Sequence, residues 1–354
     1  MKAALWHGAK DVRVSDIPEP HKPGPDEFVL HSKLVGICGT DVHEYVSGPH
    51  VIPTTPHPLT GAQAPIVLGH EFGGEVVEVG SNVSRVKPGD KVSVQPLLYC
   101  GRCYYCVRGA GQLCTMGAGT GLSYQWGGTA PYVLLKEYQA VAIPAALSWE
   151  QAALVEPASV AAYGVERSGL RPGDAVLVSG CGPIGALSLL AARAAGAAAV
   201  YVSETSAPRA DLARELGATE VLDPRTQDVP AELRQRTDGI GVDVALECAG
   251  VAPSLSACVR SLRSDGTVAQ VALFVGAAEV EPFDWALRNI HLVGCWCFHT
   301  FGFERIAQLM ANGTFPAEKI VTSRVPVEDI VEGGFEQLIR PGGEQVKILI
   351  VPAD

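Results

Sequence analysis

The sequence predicts an α/β protein with two parts, a β-rich N-terminal part and a doubly wound parallel sheet. Short strand-like runs separated by Gly and Pro turns fill the first 150 residues. From about Arg171, buried strand runs alternate with helical runs, which is the pattern of a parallel sheet covered on both faces. With 354 residues, 47% of them hydrophobic, the chain is too long for one ordinary core and should form about two domains.

The N-terminal part contains strand-like runs at residues 28–32 and 75–79, and a tight turn at 87–90 leads into a third run at 91–94. Residues 48–65 interrupt this pattern with five prolines, so we expect neither a helix nor a central strand there. Long loops of this kind serve as lids or binding loops, or they are plain surface insertions, and the sequence favours neither interpretation.

The second part begins with a buried strand run at residues 174–179, followed by a glycine-rich turn and an Ala- and Leu-rich helix. Gly196 stands where a glycine commonly follows a helix end. Further strands are predicted at residues 200–204, 220–222, 242–247, 267–272 and 290–293, with a helix at 208–216. After about Gly294 the alternation lapses, and the run at 346–351 is expected to return to the first part.

Charge and cysteine usage exclude several classes of function. The chain has 27 basic and 38 acidic residues, a net charge of -11, and no basic run, so we expect neither a nucleic-acid nor a membrane partner. The N-terminus lacks the apolar region of a signal peptide, and no stretch reaches about 18 uninterrupted apolar residues. Six cysteines are scattered, which fits a reducing compartment. A cytoplasmic protein is therefore predicted.

Four cysteines lie within one short segment: Cys100, Cys103, Cys106 and Cys114. Their C-x2-C-x2-C-x7-C spacing suits the closed four-thiolate shell of a structural zinc ion. An iron–sulfur cluster is an alternative, but the ferredoxin pattern continues with a three-residue gap and Cys-Pro, whereas Thr115 follows here. Two disulfides are a further alternative. The spacing favours structural zinc.

A glycine-rich turn predicts a dinucleotide site. Gly180, Gly182 and Gly185 follow a strand and open a helix, a context in which the three glycines permit a tight turn, approach of a pyrophosphate and close helix packing. Glu204 follows nineteen residues after the third glycine, where a carboxylate accepts hydrogen bonds from ribose hydroxyls and repels a 2′-phosphate. Arg209 is the opposing observation, since an Arg nearby can accept that phosphate. The pattern favours NAD over NADP, and over no nucleotide at all.

Three further segments hold possible metal ligands, at residues 36–43, 69–71 and 155–157. A catalytic zinc ion takes three protein ligands and keeps one open position, which Cys38, His70 and a carboxylate could supply. Taken singly, each residue has a plainer interpretation. Cys38 could be a small buried residue, His70 a turn histidine, and Glu156 an acid at a helix end.

Together, these motifs resemble the zinc-dependent medium-chain alcohol and polyol dehydrogenases, and within them most closely the (R,R)-2,3-butanediol dehydrogenase branch. The resemblance covers essentially the whole chain. Its motifs are Gly-Ile-Cys-Gly-Thr-Asp at 36–41, Gly-His-Glu at 69–71, the four cysteines, Glu-Pro at 156–157 and the glycine run at 180–185. The stretches at 52–61 and 315–324 resemble the butanediol branch in particular.

The resemblance implies a domain organisation. A GroES-like catalytic domain is expected over residues 1–158, with a structural-zinc lobe at about 96–116. An NAD-binding Rossmann domain is expected over 159–296, and a return to the catalytic domain over 297–354. A homo-oligomer is also implied, with a tetramer favoured over a dimer.

The resemblance further assigns ligands to a catalytic zinc ion. Cys38 and His70 are two implied ligands, and Glu156 is preferred as the third. Glu71 matches a carboxylate that binds zinc directly in some members and stands off in others, so it is expected to exchange with Glu156 or to lie behind it. Two zinc ions per chain are therefore expected, one catalytic and one structural.

Roles for the remaining site residues follow from the same resemblance. Thr40 is expected to relay the substrate proton, and His43 to pass it on to solvent. Contacts with the cofactor are expected at the three glycines, Pro183, Ile184, Glu204, Arg209, Val271, Leu273, Trp296 and Cys297.

The sequence departs from the family pattern at one place that bears on the substrate. Members that act on sorbitol carry an Arg-Tyr pair after the last Rossmann strand, whereas this chain has Cys297 and Phe298 there. A site with fewer polar groups should prefer a smaller and less hydroxylated substrate. We therefore expect reversible oxidation of a vicinal diol such as 2,3-butanediol to acetoin. The alternatives are a sorbitol-like polyol, threonine or another secondary alcohol as substrate, and a catalytically silent paralogue that binds NAD and zinc.

Overall fold

The computed structural model describes residues 1–274, 276–299 and 301–353. Its strands are β1 Lys2–Gly8, β2 Asp11–Asp16, β3 Glu27–Gly36, β4 Ile66–Val67, β5 Glu71–Val79, β6 Lys91–Val94, β7 Leu97–Leu98, β8 Ala118–Gly119, β9 Tyr132–Lys136, β10 Ala140–Ala142, β11 Ala175–Ser179, β12 Ala199–Ser203, β13 Glu220–Leu222, β14 Val242–Glu247, β15 Leu262–Gln270, β16 His291–Gly294, β17 Val321–Pro326 and β18 Lys347–Val351. Its α-helices are α1 Gly39–Ser47, α2 Trp149–Ser168, α3 Pro183–Ala194, α4 Ala207–Glu215, α5 Val229–Arg236, α6 Ala252–Ser261, α7 Pro282–Arg288, α8 Phe303–Ala311 and α9 Glu336–Leu338. Short 3-10 turns and a π-helical segment, Ile330–Phe335, complete the regular structure.

The second part of the chain forms a six-stranded parallel sheet in the order β13-β12-β11-β14-β15-β16. Its central strand β11 is apolar and fully buried at Val176 to Val178, as expected for a strand covered on both faces. This order is that of a doubly wound sheet, with β11 beside the point where the strand order reverses. The predicted fold class is confirmed. The fifth strand differs from its predicted start because β15 pairs with β14 through a bulge and begins at Leu262.

The N-terminal part forms a seven-stranded sheet in which β10, β6, β5, β3, β18 and β17 are neighbours and β9 also pairs with β3. A smaller sheet contains β2, β1 and β4. The C-terminal strand β18 pairs with β3 at Leu349 and Gly36, so the end of the chain lies in the sheet formed by its beginning. The exact domain boundaries remain a prediction.

The proline-rich segment has neither helix nor strand between Ser47 and Ile66, as its prolines predict. Its first residues are fixed by Glu44, a fully buried side chain of α1. The Glu44 carboxylate accepts hydrogen bonds from the backbone N–H groups of His50 at 2.9 Å and Ile52 at 3.2 Å.

Helix α2 packs against both sheets and so connects the two parts of the chain. It begins after Ser148, whose hydroxyl accepts a hydrogen bond from Gln151 N while the Gln151 side chain accepts one from Ser148 N, a capping box. Pro157 lies inside this twenty-residue helix. Glu156 is therefore a mid-helix residue, and its interpretation as a helix-end acid is wrong.

Within the described part of the chain, no helix combines the length and the apolar character needed to cross a membrane.

Candidate active site

Helix α1 presents the first group of site residues. Cys38 immediately precedes the helix, and its backbone N–H donates a 2.9 Å hydrogen bond to Asp41 Oδ2. This bond satisfies a free N–H at the helix start and fixes the residue that carries the thiol. Thr40 and His43 follow three residues apart, a spacing that places them on one helix face. His43 is exposed, whereas Thr40 is half-buried.

His70 is held by the same aspartate. His70 Nδ1 lies 3.4 Å from Asp41 Oδ1, and both side chains are buried. Burial alone would lower the pKa of His70, but the Asp41 carboxylate and the neighbouring Cys38 raise it well above its ordinary value. Because Nδ1 faces Asp41, Nε2 is the ring nitrogen available to bind a metal ion. Metal-binding histidines commonly direct their other ring nitrogen to a carboxylate in this way.

Glu71 forms a buried ion pair with Lys347 on β18, and both side chains are 1% exposed. Lys347 Nζ also donates a 2.9 Å hydrogen bond to the Ile37 carbonyl oxygen. Gly36 leaves the space for this pair, because a Cβ at that position would come within 2.9 Å of Lys347 Cε and closer still to the Glu71 carboxylate. The pair therefore ties β18 to the residues that flank the site.

Cys38, His70 and Glu71 come together, with one ligand atom of each within 4.8 Å of the others. A thiol, an imidazole and a carboxylate are the donors that zinc takes in catalytic sites, so the residues present fit a zinc ion. Glu156, on α2, is buried next to this group. Burial and the negative charge of Glu71 raise the pKa of Glu156 to about 8.

The segment after β16 also reaches this site. Burial and the negative charge of Glu156 raise the pKa of the Cys297 thiol to about 12, which places Cys297 within electrostatic range of the metal-ligand group. Phe298 instead points into the core, where its ring lies 4.8 Å from that of Phe303. Trp296 is 46% exposed. Neither residue that replaces the Arg-Tyr pair brings a charged group to the site.

The four-cysteine segment forms a separate group. The sulfurs of Cys100, Cys103, Cys106 and Cys114 all lie within 4.8 Å of one another. The Cys103 and Cys106 sulfurs are 3.4 Å apart, and those of Cys100 and Cys106 are 3.9 Å apart. A tetrahedral zinc ion with Zn–S bonds of about 2.3 Å separates its sulfurs by about 3.8 Å, so this donor set also fits zinc.

Backbone N–H groups contribute to this cluster. They lower the pKa of the Cys103 thiol to about 5, and Cys114 Sγ accepts from Cys100 N at 3.3 Å and from Met116 N at 3.4 Å. Hydrogen bonds of this kind stabilise the thiolate, which is the form that binds a metal. Four protein ligands leave no position for a substrate, so the group is suited to fixing a loop.

The glycine-rich turn has the geometry that its sequence predicts. Gly180 has φ +87°, and a Cβ there would lie 2.9 Å from Ala249 Cβ. Gly185 lies against the Gly180 carbonyl oxygen with no room for a Cβ, which lets α3 pack directly on the turn. Gly182 faces open space, with Arg209 Nη1 as the nearest atom, 3.9 Å from a built Cβ. Space at this position is what the approach of a pyrophosphate requires.

Glu204 directly follows β12 and is buried. Its Oε2 accepts a 2.7 Å hydrogen bond from Cys181 N, and its Oε1 accepts bonds of 2.7 Å from the N–H groups of Thr205 and Ser206. The carboxylate is thus fixed between the glycine-rich turn and the start of α4. Of the other expected cofactor contacts, Val271 is buried and Leu273 is 50% exposed. Pro183 and Ile184 open α3.

Two residues of the site were not assigned a role from the sequence. Asp41 lies inside the Gly-Ile-Cys-Gly-Thr-Asp motif, and its position three residues after a helix start was a usable signal for a capping role. Lys347 interrupts an otherwise apolar terminal strand. A lysine at a buried strand position indicates a paired charge, but nothing in the local sequence identifies Glu71 as its partner.

Comparison with known proteins matches both parts of the chain to described families. Residues 24–145 match the alcohol dehydrogenase GroES-like domain, and residues 183–312 match the zinc-binding dehydrogenase family. The (R,R)-butanediol dehydrogenase of Bacillus subtilis (strain 168) is 42% identical over 353 residues, covering 99% of this chain and 100% of that protein. The sorbitol dehydrogenase of the same organism is 31% identical, covering 99% and 97%.

Solved structures agree with these matches. The crystal structure of 2R,3R-butanediol dehydrogenase from Bacillus subtilis is 42% identical and superposes with a TM-score of 0.93, covering 99% of each chain. A zinc-binding dehydrogenase from Sinorhizobium meliloti 1021, bound to NADP, is 33% identical with a TM-score of 0.90, again covering 99% of each chain.

Proposed function

Because the chain belongs to the zinc-binding alcohol dehydrogenase family, we propose that it interconverts a short vicinal diol, such as 2,3-butanediol, and its hydroxyketone with NAD as hydride acceptor. The observation that carries this proposal is the group of half-buried Cys38 with buried His70 and Glu71, next to a segment in which Cys297 and Phe298 offer no charged partner to extra hydroxyls. The similarity to butanediol dehydrogenases along the whole chain supports it.

Two carboxylates compete for the third position on the catalytic zinc ion. The charge of Glu71 is already neutralised by Lys347, whereas Glu156 is buried and destabilised by that same neighbouring carboxylate. A cation therefore relieves more unfavourable charge at Glu156 than at Glu71. We propose Cys38, His70 and Glu156 as the ligands of the catalytic zinc ion. Glu71 would lie behind Glu156 and exchange with it on the metal.

When bound, zinc would supply Lewis acidity, which lowers the pKa of an alcohol and stabilises its alkoxide. The residues of the chain then have separate tasks. Thr40 Oγ1 accepts the substrate hydroxyl proton as it gives up its own hydroxyl proton toward the exposed His43, three residues further along α1, which releases a proton to solvent. Asp41 keeps the Cys38 backbone and the His70 ring in place.

A substrate panel tests the proposed activity. With NAD and the zinc-loaded protein, kcat/KM for (R,R)-2,3-butanediol should exceed that for sorbitol, threonine and 2-propanol by at least about tenfold, the discrimination that one unmatched polar or apolar contact provides. Turnover is followed at the NADH absorbance band. If butanediol and acetoin are inert while another substrate turns over, the diol assignment is wrong; if no alcohol turns over, the silent paralogue is the correct interpretation.

NAD binding is proposed at the glycine-rich turn. Two glycine variants test it, one expected to change stability and the other expected to change NADH binding. Gly185→Ala should lower the free energy of unfolding by about 1–3 kcal/mol, because the methyl group meets the Gly180 carbonyl. Gly182→Ala should leave stability unchanged but weaken NADH binding about tenfold or more, because its methyl group fills space that the pyrophosphate needs. Urea denaturation and NADH fluorescence titration give the two values. Unweakened NADH binding by Gly182→Ala would place the nucleotide elsewhere.

A homo-oligomer is proposed as well, with a tetramer favoured over a dimer. The edge strand β16 exposes Leu292, and the preceding helix α7 exposes Phe283 at 82% and Leu287 at 72%. An open strand edge next to exposed apolar side chains is a surface that a second copy of the chain can cover.

A further inference from the structure

A loop of the C-terminal segment lies across the start of α4, next to Glu204. This loop, residues 341–345, connects α9 to β18 and so belongs to the sheet of the N-terminal part. The Ser206 hydroxyl donates a 2.8 Å hydrogen bond to the Gly342 carbonyl oxygen. Arg209 Nη2 donates one of 3.4 Å to the Gln345 carbonyl oxygen. The loop therefore contacts Ser206, which immediately precedes α4, and Arg209 in the first turn of that helix.

The contact is close enough that a side chain at its centre would have to displace Ser206 or Arg209. Gly343 has φ +68°, and a Cβ there would lie 2.8 Å from Ser206 Oγ and 3.1 Å from Arg209 Nε. Arg209 Nε is itself buried and makes no hydrogen bond within the described part of the chain. The orientation of the guanidinium is thus set by the loop and not by an acidic partner.

Hydrogen bonds connect this loop to the glycine-rich turn. Cys181 N donates to Glu204 Oε2, Ser206 N donates to Glu204 Oε1, and the Ser206 hydroxyl donates to Gly342. Around the end of β12, the fixed acceptors are the Glu204 carboxylate and the Gly342 and Gln345 carbonyl oxygens, and the side-chain donors facing the loop are Ser206 and Arg209. A 2′-phosphate brings only acceptors, so it would have to compete with the loop carbonyls for these donors.

We propose that residues 341–345 form a specificity-determining clasp, which keeps the Arg209 guanidinium hydrogen-bonded to the Gln345 carbonyl oxygen and thereby holds this cationic group away from a 2′-phosphate. The inference rests on the proposed use of NAD. It adds a loop that contributes to the preference for NAD over NADP. Glu204 disfavours the 2′-phosphate by repulsion, and the clasp disfavours it by restraining the Arg209 guanidinium. A relative of 33% identity is bound to NADP, so the discrimination belongs to residues and not to the fold.

Adenosine nucleotides test the clasp without the nicotinamide or the metal-dependent chemistry. Calorimetry on the zinc-loaded full chain gives the Kd of 2′,5′-ADP and of 5′-ADP, and their ratio measures acceptance of the 2′-phosphate. Gly343→Val should displace the loop and release Arg209, lowering that ratio about tenfold, the effect of one charge-assisted hydrogen bond. Adding Arg209→Gln to this variant should restore the wild-type ratio.

Gly313→Val is the matched control, because Gly313 has a similar φ of +77° but no atom within 4 Å of a built Cβ. Its ratio should not move. Ser206→Ala removes a clasp hydrogen bond without adding bulk, and it should shift the ratio in the same direction by a smaller factor. Parallel changes in both Kd values would show that the loop is only structural and overturn the clasp. Failure of the wild-type chain to bind either nucleotide would instead overturn the proposed cofactor, and the clasp with it.

Discussion

Replacing Cys38 by Ser is expected to lower turnover of the diol by about a thousandfold or more and to remove one zinc ion per chain. The loss follows from the ligand group, in which Cys38 is the thiol whose sulfur lies within 4.8 Å of ligand atoms of His70 and Glu71. Lewis acidity contributes several kcal/mol to such reactions, and each 1.4 kcal/mol of barrier is a factor of ten in rate. Metal analysis of the purified protein and initial rates at the NADH band give both numbers, while NADH binding at the glycine-rich turn should persist.

Cys114→Ser is the counterpart that separates the two metal sites. It should also reduce the zinc content from about two ions per chain to one, because a closed shell loses its ion when one thiolate is missing. Turnover of the folded protein should nevertheless stay within about tenfold of wild type, while thermal stability falls. Full activity of Cys38→Ser would contradict the zinc mechanism. Loss of turnover in Cys114→Ser but not in Cys38→Ser would mean that the structural and catalytic sites have been assigned the wrong way round.

Lys347→Met is expected to lower the free energy of unfolding by about 3–5 kcal/mol, since removing one partner of a buried ion pair leaves the other charge uncompensated. Lys347 and Glu71 are each 1% exposed, and Glu156 adds a second buried carboxylate next to them. Without the ammonium group, two carboxylates would share a space that water does not reach. Urea denaturation of the zinc-loaded protein measures the change.

A double variant distinguishes charge from packing. Lys347→Met combined with Glu71→Gln removes both charges and should recover a large part of the lost stability, because an apolar or neutral replacement of a whole buried pair is often neutral. Lys2→Met provides a surface control. Lys2 pairs with Glu328 at 4.0 Å with about half of each side chain exposed, so its loss should cost less than about 1 kcal/mol. Equal destabilisation by the single and double variants would show that Lys347 acts through packing alone.

What the sequence could predict depended on how far apart the interacting residues lie along the chain. The four cysteines and the three glycines act within short segments, so their spacing already encodes their geometry. The parallel sheet was predictable for the same reason, because alternating buried strands and helices leave few topologies open. Glu204 was placed correctly at a strand end, but its three backbone hydrogen bonds depend on a turn that the local sequence does not specify.

Pairings between distant residues could not be predicted in this way. Lys347 and Glu71 are separated by most of the chain, and their contact depends on β18 joining β3. The same holds for the clasp, where Arg209 meets Gln345. For Glu156, only the plainer alternative of a helix-end acid was wrong, because packing on both sides keeps α2 continuous through Pro157.

Helix α2 has a mechanical consequence for the whole molecule. In the first half of the helix, Ala152 packs so closely on Gly73 of β5 that a Cβ on Gly73 would lie 2.6 Å from the Ala152 Cβ. In the second half, Val271 packs on Gly164, and a Cβ on Gly164 would lie 2.6 Å from Val271 Cγ2. The first half of the helix thus packs closely on one sheet and the second half on the other. Between these two contacts, Pro157 has no backbone N–H and leaves one helical hydrogen bond unmade. Any rotation of the two sheets relative to each other should bend this helix near Pro157 and so shift the Glu156 carboxylate relative to His70 and Glu71.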